Sequence, residues 1–154
     1  MKITAIKTGR LETPLKVPFK TAVRTVDKLT DVIVRIETDC GAVGWGSAPP
    51  TSKVTGDTVG SIIGAIDEAI RPILLGRDAE ALEENLLALD GAIVGNTSAK
   101  AAVDIALHDL WARSIGQPVW RLFGGVGRSI ETDVTISVNS PEEMARDALR
   151  GKND

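Results

Sequence analysis

The chain has 154 residues, of which 43% are hydrophobic and 25% charged, and its formal net charge is −3. This length suits one domain, or one small domain together with part of another. The ordinary apolar fraction excludes wholesale disorder. A mildly acidic chain without a block of Lys or Arg argues against nucleic acid and against an anionic membrane as the main partner.

Two residue types that each occur once bear on the possible classes of site. Cys40 is the one cysteine and His108 the one histidine. An internal disulfide is therefore excluded, and the single thiol fits a reducing compartment. A histidine-rich metal site is disfavoured, as is a Ser-His-Asp triad, for which His108 would be the one available histidine. No apolar run is long enough to span a membrane, and the polar start at residues 1–4 is not a signal peptide. We expect a cytoplasmic protein.

The first fifty residues have the pattern of an antiparallel sheet. A first strand is predicted over residues 1–10. Alternate residues from Val32 to Ile36 are apolar, which is the period of a half-buried strand. Gly41 then suits a tight turn into a returning strand over residues 42–46.

Residues 12–28, between the first two strands, contain Pro14, Pro18 and several polar side chains. This composition predicts a long loop, and long loops in compact domains are usually functional or disordered. Arg24 stands in this stretch among small and apolar neighbours. An isolated arginine in such a place can bind a carboxylate through two parallel hydrogen bonds. A solvated loop charge is the alternative.

From residue 57 the apolar period becomes helical. Four helices are predicted: over residues 57–76, from 78 to beyond 89, over 98–116 and over 118–124. Asp57, Asp78 and Ser98 are the predicted N-caps of the first three, and Gly76 is the predicted residue that ends the first.

The period returns to two near the end of the chain, which predicts a strand over residues 133–138. Thr135 and Ser137 alternate there with apolar residues, so Thr135 faces either solvent or the interior of a barrel. Ser140 and Glu143 form the capping box of a following helix. We interpret residues 1–125 as a complete α+β domain, an antiparallel β-meander followed by a helical bundle, and residues 126–154 as the first strand–helix unit of a second domain.

Few other residues suggest chemistry. Asp104 and His108 share one helix face, which favours an ion pair because no third metal ligand is evident. Trp111 and Trp120 follow the helical apolar spacing and are predicted in the core. Cys40 has no basic neighbour to lower its pKa and is predicted to be inert.

Two longer motifs carry a family resemblance. Residues 99–113, from Ala99 to Arg113, and residues 116–125 resemble a signature of the enolase superfamily. In its mandelate racemase and muconate-lactonizing branch, this signature is the helix and turn near the end of the N-terminal capping domain. Residues 18–20, 44–46 and 132–138 are similar to the family in the same order, so the resemblance covers essentially the whole chain.

Within that superfamily, residues 16–25, 48–50 and 55–57 resemble the dipeptide epimerases. Those enzymes interconvert the stereochemistry of the C-terminal residue of dipeptides such as L-Ala-L-Glu. The resemblance implies that Arg24 reaches a substrate carboxylate from a mobile capping loop and that Thr135 contacts the substrate from the first barrel strand. Ser47 departs from the family, which commonly has glutamate there.

The same resemblance implies Mg²⁺, which stabilises an ene-diolate while lysines act as bases. In the family, the lysines and three acidic metal ligands project from later strands of a (β/α)₈ barrel. We therefore expect no catalytic residue and no metal ligand within residues 1–154, and a truncated barrel. The resemblance also implies a homo-oligomer that acts on a small dipeptide.

Two alternatives remain open at the level of sequence. One is another member of the superfamily: a muconate cycloisomerase, an o-succinylbenzoate synthase or an N-acylamino-acid racemase. The other is a free-standing, non-catalytic capping module. Such a module would expose the apolar surface that a barrel would cover, and would dimerise or aggregate.

Overall fold

A computed structural model of the chain describes residues 1–151, and in it three strands precede the helices. The elements are β1 (Ile3–Lys20), β2 (Thr25–Thr38), β3 (Val43–Ala48), α1 (Val59–Gly64), a π-helical turn (Ala65–Ile70), α2 (Arg71–Leu74), α3 (Leu82–Gly91), α4 (Thr97–Ser114), α5 (Val119–Leu122) and α6 (Pro141–Gly151). The strands form one sheet in the order β1-β2-β3. The predicted meander followed by helices is confirmed.

The alternation of apolar residues in β2 decides which face of the sheet is buried. β2 and β3 are antiparallel, with Val34 opposite Gly46 and Ile36 opposite Gly44. Val32, Val34 and Ile36 are fully buried, as the period of two predicts. Gly41 has a φ of +84° in the connecting turn, a conformation that favours glycine.

Helix α4 packs directly on β3. A Cβ atom added at Gly44 would overlap the carbonyl oxygen of Ala106, and one at Gly46 would overlap that of Ala102. Ala99, Ala102 and Ala106 are themselves buried. Small residues on both elements therefore allow the helix backbone to lie against the strand backbone. The other large, fully buried side chains include Ile3, Ile62, Ile66, Ile70, Leu74, Leu107 and Leu110.

The helices are where the periodicity places them, but the three predicted N-caps are wrong. Thr58, not Asp57, caps α1, and it forms a capping box with Ser61. The Asp78 carboxylate accepts the Glu80 N–H at 3.1 Å, and α3 begins only at Leu82. Each of these residues lies within a few positions of the true helix start, where several side chains compete for the same free N–H groups.

Ser98 is the third of these corrections, because it lies inside α4. The helix begins at Thr97, and the preceding Asn96 adopts the left-handed conformation with φ of +50°. The Ser98 hydroxyl instead donates to the carboxylate of Asp57. Gly76 follows the last turn of α2 with φ of +81°, as predicted for a residue that ends a helix.

The predicted loop over residues 12–28 is wrong. β1 continues to Lys20 and β2 starts at Thr25, so most of this stretch is a hydrogen-bonded pair of strands, the β1–β2 arm (Glu12–Leu29). Backbone pairing needs no apolar side chains, and a pattern of hydrophobicity cannot detect it. β1 is an edge strand, where Pro14 and Pro18 are tolerated because a missing N–H needs no partner.

The chain divides into two compact units, one of Met1–Leu11 with Thr30–Val126 and one of Glu12–Leu29 with the residues from Gly127 onward. The assignment of domains to residues 1–125 and 126–154 stays a prediction, and residues 152–154 lie outside the described part. No helix in residues 1–151 is long and apolar enough to cross a membrane.

The predicted strand over residues 133–138 is wrong, since these residues are irregular. A strand requires a neighbour to complete its ladder. Within residues 1–151 no strand pairs with this segment, although the Val138 N–H donates to the Lys20 carbonyl at 3.0 Å. The helix that follows is confirmed. The N–H of Glu143 donates to the Ser140 hydroxyl and that of Ser140 to the Glu143 carboxylate, both at 3.3 Å, which is a capping box.

Candidate functional site

Arg24 lies in the tight turn between β1 and β2, the Arg24 turn (residues 21–24). The N–H of Thr21 donates to the carbonyl of Arg24 at 2.8 Å. The hydroxyl of Thr21 accepts the Arg24 N–H at 3.2 Å and also donates to the Arg24 carbonyl at 3.2 Å. A threonine hydroxyl that bonds the backbone in this way fixes the shape of a turn. Thr21 therefore forms hydrogen bonds with both the N–H and the carbonyl of Arg24, which fixes its backbone.

The guanidinium of Arg24 has no hydrogen bond or ion pair with any residue from 1 to 151, although the side chain is half-buried. Its neighbour Val23 is 70% exposed. A guanidinium presents its donors in a planar fork that matches a carboxylate. The Arg24 turn thus presents one cation, held at its backbone, that is available for a carboxylate.

Thr135 is exposed, in the irregular segment that precedes α6. Its chain neighbours contact the base of the Arg24 turn. The N–H of Lys20 donates to the hydroxyl of Ser137 at 2.8 Å, and the N–H of Val138 donates to the carbonyl of Lys20 at 3.0 Å. The structure therefore joins the segment that carries Thr135 to Lys20, the end of β1, which directly precedes the Arg24 turn.

Sequence reasoning missed Lys20 and Ser137 as members of this site. The available signal was the position of Ser137, two residues after Thr135 in the same period-two pattern. Its partner could not have been found, because 117 positions separate the two residues in sequence and the main-chain groups of Lys20 leave no trace in the amino-acid pattern.

The described residues do not fit a magnesium site. Within residues 1–151 no three His, Cys, Asp or Glu side chains are grouped so that they could hold a metal ion. Asp104 and His108 form the predicted pair, with 2.9 Å between Oδ1 and Nδ1. The Asp109 carboxylate is occupied by Arg113 Nε at 2.9 Å and by the N–H of Trp45 at 2.9 Å.

An apolar groove of about 490 Å³ lies beside this pair in the first unit, lined among others by Trp45, Ile105, His108 and Phe123. The His108 and Phe123 rings meet edge to face, with centroids 5.4 Å apart. Ser47, the departure from the dipeptide epimerases, lies in the same unit on β3, opposite Ile33.

Two predictions about single side chains need correction. Trp120 is 46% exposed, and the Arg121 guanidinium lies over its ring, 5.4 Å from the ring centroid. Trp111 is half-buried. The pKa of the Cys40 thiol is lowered, mainly by its 3.3 Å hydrogen bond with the Thr38 hydroxyl. A neutral hydroxyl thus lowers the pKa of a thiol that has no basic neighbour in sequence.

Comparisons with known proteins agree with the fold. Residues 3–124 match the family described as mandelate racemase / muconate lactonizing enzyme, N-terminal domain. An L-Ala-D/L-Glu epimerase from Clostridium acetobutylicum is 56% identical over 149 residues, which are 97% of this chain and 42% of that protein.

Solved structures give the same result. A substrate-liganded L-Ala-D/L-Glu epimerase from Bacillus subtilis has a TM-score of 0.93 at 51% identity, covering 97% of this chain and 42% of that one. A dipeptide epimerase from Cytophaga hutchinsonii, complexed with Mg and D-Ala-L-Val, has a TM-score of 0.90 at 33% identity, covering 99% of this chain and 42% of that one.

The chain thus spans about two fifths of the length of the relatives it matches. Its three-stranded sheet followed by helices has the arrangement of their N-terminal capping domain. The resemblance to the enolase superfamily is confirmed, and the chain belongs to the mandelate racemase/muconate lactonizing enzyme family.

Proposed function

We propose that this chain is the N-terminal part of a dipeptide epimerase that inverts the C-terminal residue of L-Ala-Glu-type dipeptides. The observation that carries the proposal is the unpaired guanidinium of Arg24 on a turn held by Thr21. The name shared by its relatives in Clostridium acetobutylicum and Bacillus subtilis, L-Ala-D/L-Glu epimerase, supports the substrate class.

In this proposal the described residues bind the substrate and do not perform the chemistry. Arg24 holds a carboxylate of the dipeptide, and Thr135 contacts the substrate from the segment joined to the Arg24 turn. Binding through a preformed turn reduces the entropy lost when the substrate is captured. Removal and return of the α-proton belong to the part of the protein outside residues 1–151.

We assign a magnesium requirement to the whole protein, because the Cytophaga hutchinsonii relative is complexed with Mg. The ligands are assigned outside this chain, since the described residues do not fit such a site. We further propose that the whole protein is a cytoplasmic homo-oligomer. The free, exposed Cys40 is compatible with a reducing compartment, and the half-exposed Trp45 and Ile105 provide apolar contact surface.

The test is epimerisation of L-Ala-L-Glu by the full-length protein with Mg²⁺, followed by NMR as exchange of the α-proton in D₂O. Arg24→Ala should lower kcat/KM by roughly tenfold to a hundredfold, mainly through KM, since a hydrogen bond to a charged group contributes about 1.5–3 kcal/mol. Arg24→Lys should restore only part, because an ammonium lacks the planar fork.

Arg128→Ala is the matched control, as it removes an exposed arginine outside the turn and should leave kcat/KM unchanged. Wild-type KM in Arg24→Ala would overturn the role of Arg24 alone. Failure of the wild-type protein to exchange the α-proton of any dipeptide would overturn the proposed function itself.

A further inference from the structure

The Arg24 turn stands at the end of an arm that has little to hold it. The strand residues of the β1–β2 arm have mostly exposed side chains. An ion pair of the arm, from Lys28 Nζ to Glu12 Oε1 at 2.8 Å, joins two partly exposed groups, and such pairs stabilise weakly. A two-stranded ribbon is marginally stable in water on its own. Something else must fix its end.

The contact with Lys20 supplies that restraint. Both main-chain polar groups of Lys20 are engaged by consecutive residues: the N–H by the Ser137 hydroxyl and the carbonyl by the Val138 N–H. Lys20 directly precedes Thr21, whose hydroxyl shapes the turn. Two hydrogen bonds on one residue fix the direction of the chain as well as its position.

We propose that Ser137 is a positioning residue for the substrate site: its hydroxyl holds the base of the Arg24 turn, so that the guanidinium is already in place when a carboxylate arrives. The inference rests on the proposed function and deepens it. Of the two hydrogen bonds, only the one that the Ser137 hydroxyl accepts involves a side chain. Only this bond can therefore be removed by substitution without changing the backbone.

The first experiment needs no activity. Hydrogen–deuterium exchange, read by mass spectrometry on peptides covering residues 16–24 of the full-length protein, compares wild type with Ser137→Ala. Loss of one hydrogen bond, worth about 1 kcal/mol, should speed exchange of the Lys20 amide about fivefold. Ser137→Thr keeps a hydroxyl and should restore slow exchange. Thr132→Val, which removes an exposed hydroxyl from the same irregular segment, is the control and should exchange like wild type.

The second experiment separates positioning from general stability. Ser137→Ala should raise KM for the dipeptide about fivefold with less than a twofold change in kcat, because a carboxylate clamp acts on the ground and transition states alike. In an Arg24→Ala background the same substitution should have no further effect on KM. Such non-additivity shows that the two residues act through one interaction.

Three outcomes overturn the inference. Unchanged exchange in Ser137→Ala would show that the hydroxyl does not restrain the arm, whatever the activity. Faster exchange with an unchanged KM would show that the contact stabilises the arm but does not position Arg24 for the substrate. Additive effects of Ser137→Ala and Arg24→Ala on KM would lead to the same conclusion. A wild-type protein that turns over no dipeptide would overturn the proposed function, recognisable because the exchange difference would persist.

Discussion

At the scale of single residues, Glu37 on β2 interacts with two basic side chains. Its carboxylate accepts a hydrogen bond from Lys7 Nζ at 2.8 Å and forms an ion pair with Arg35 Nη1 at 2.9 Å. The hydrogen bond from Lys7 is the main cause that lowers the pKa of Glu37, and the charge of Arg35 adds to it. Both partners favour the ionised form in the folded state.

The lowered pKa predicts a dependence of stability on pH. The ionised Glu37 contributes fully above its ordinary pKa of 4.5, and the contribution is lost as the pH falls through the lower pKa of the folded state. Glu37→Gln should therefore reduce stability near neutral pH and leave it nearly unchanged at low pH. Urea denaturation at several pH values measures this difference.

The control for this prediction is Glu131→Gln, which alters an exposed carboxylate in the irregular segment. It should give no pH-dependent difference from wild type. A loss of stability in Glu37→Gln that is the same at every pH would contradict the electrostatic explanation. It would assign the loss to packing instead.

At the scale of elements, β3 and α4 are packed so closely that a larger side chain at Gly46 does not fit between them. A side chain at Gly46 would overlap the backbone of α4 at Ala102. Gly46→Ala should thus destabilise the protein by about 1–3 kcal/mol, as overpacking does. The shift in the urea midpoint measures it. Gly9→Ala, where an added Cβ atom meets nothing within 4 Å, is the matched control in β1. Equal midpoints for the two variants would contradict the argument.

The elements also show what a sequence can predict. α4 was predicted to within two residues at each end, because its small and apolar residues follow the helical period and its core face is buried. The same method failed for the β1–β2 arm, where pairing involves backbone only, and for residues 133–138, whose period of two has no neighbouring strand to complete it. Hydrophobic pattern reports burial, so structure that is not buried escapes it.

The candidate site likewise contains side chains that the sequence indicates and main-chain contacts that it does not. Arg24 could be singled out as an isolated arginine among small and apolar neighbours, and Thr135 as a polar residue in an alternating apolar pattern. The family resemblance strengthened both predictions. The turn shaped by Thr21 and the contact between Ser137 and Lys20 depend on main-chain groups. Such contacts become visible only when the backbone is placed.

At the scale of the molecule, large apolar side chains remain exposed in the residues from Val126 onward. The exposed fractions of Val126, Ile130, Val134 and Leu149 are 74%, 84%, 66% and 65%. Large apolar side chains exposed to this extent favour contact with other protein. In the full-length protein proposed above, we expect these side chains to be covered.

These exposed side chains give a prediction about association. Residues 1–154 produced alone should self-associate as their concentration rises, and charged substitutions at Ile130 and Leu149 should reduce that association. The full-length protein should instead give one fixed mass, a small multiple of its subunit mass. Light scattering during size-exclusion chromatography measures both. A monodisperse monomer of residues 1–154 at high concentration would contradict the inference.

The two prolines of β1 have a consequence for crowded solutions. Pro14 and Pro18 both lie in β1, the edge strand of the sheet. Neither residue has a backbone N–H, which is tolerated at an edge because no ladder partner is lost there. The arm consequently has two fewer donors with which a strand of another molecule could pair. A long exposed ribbon that would otherwise invite fibril-like stacking is in this way protected against it.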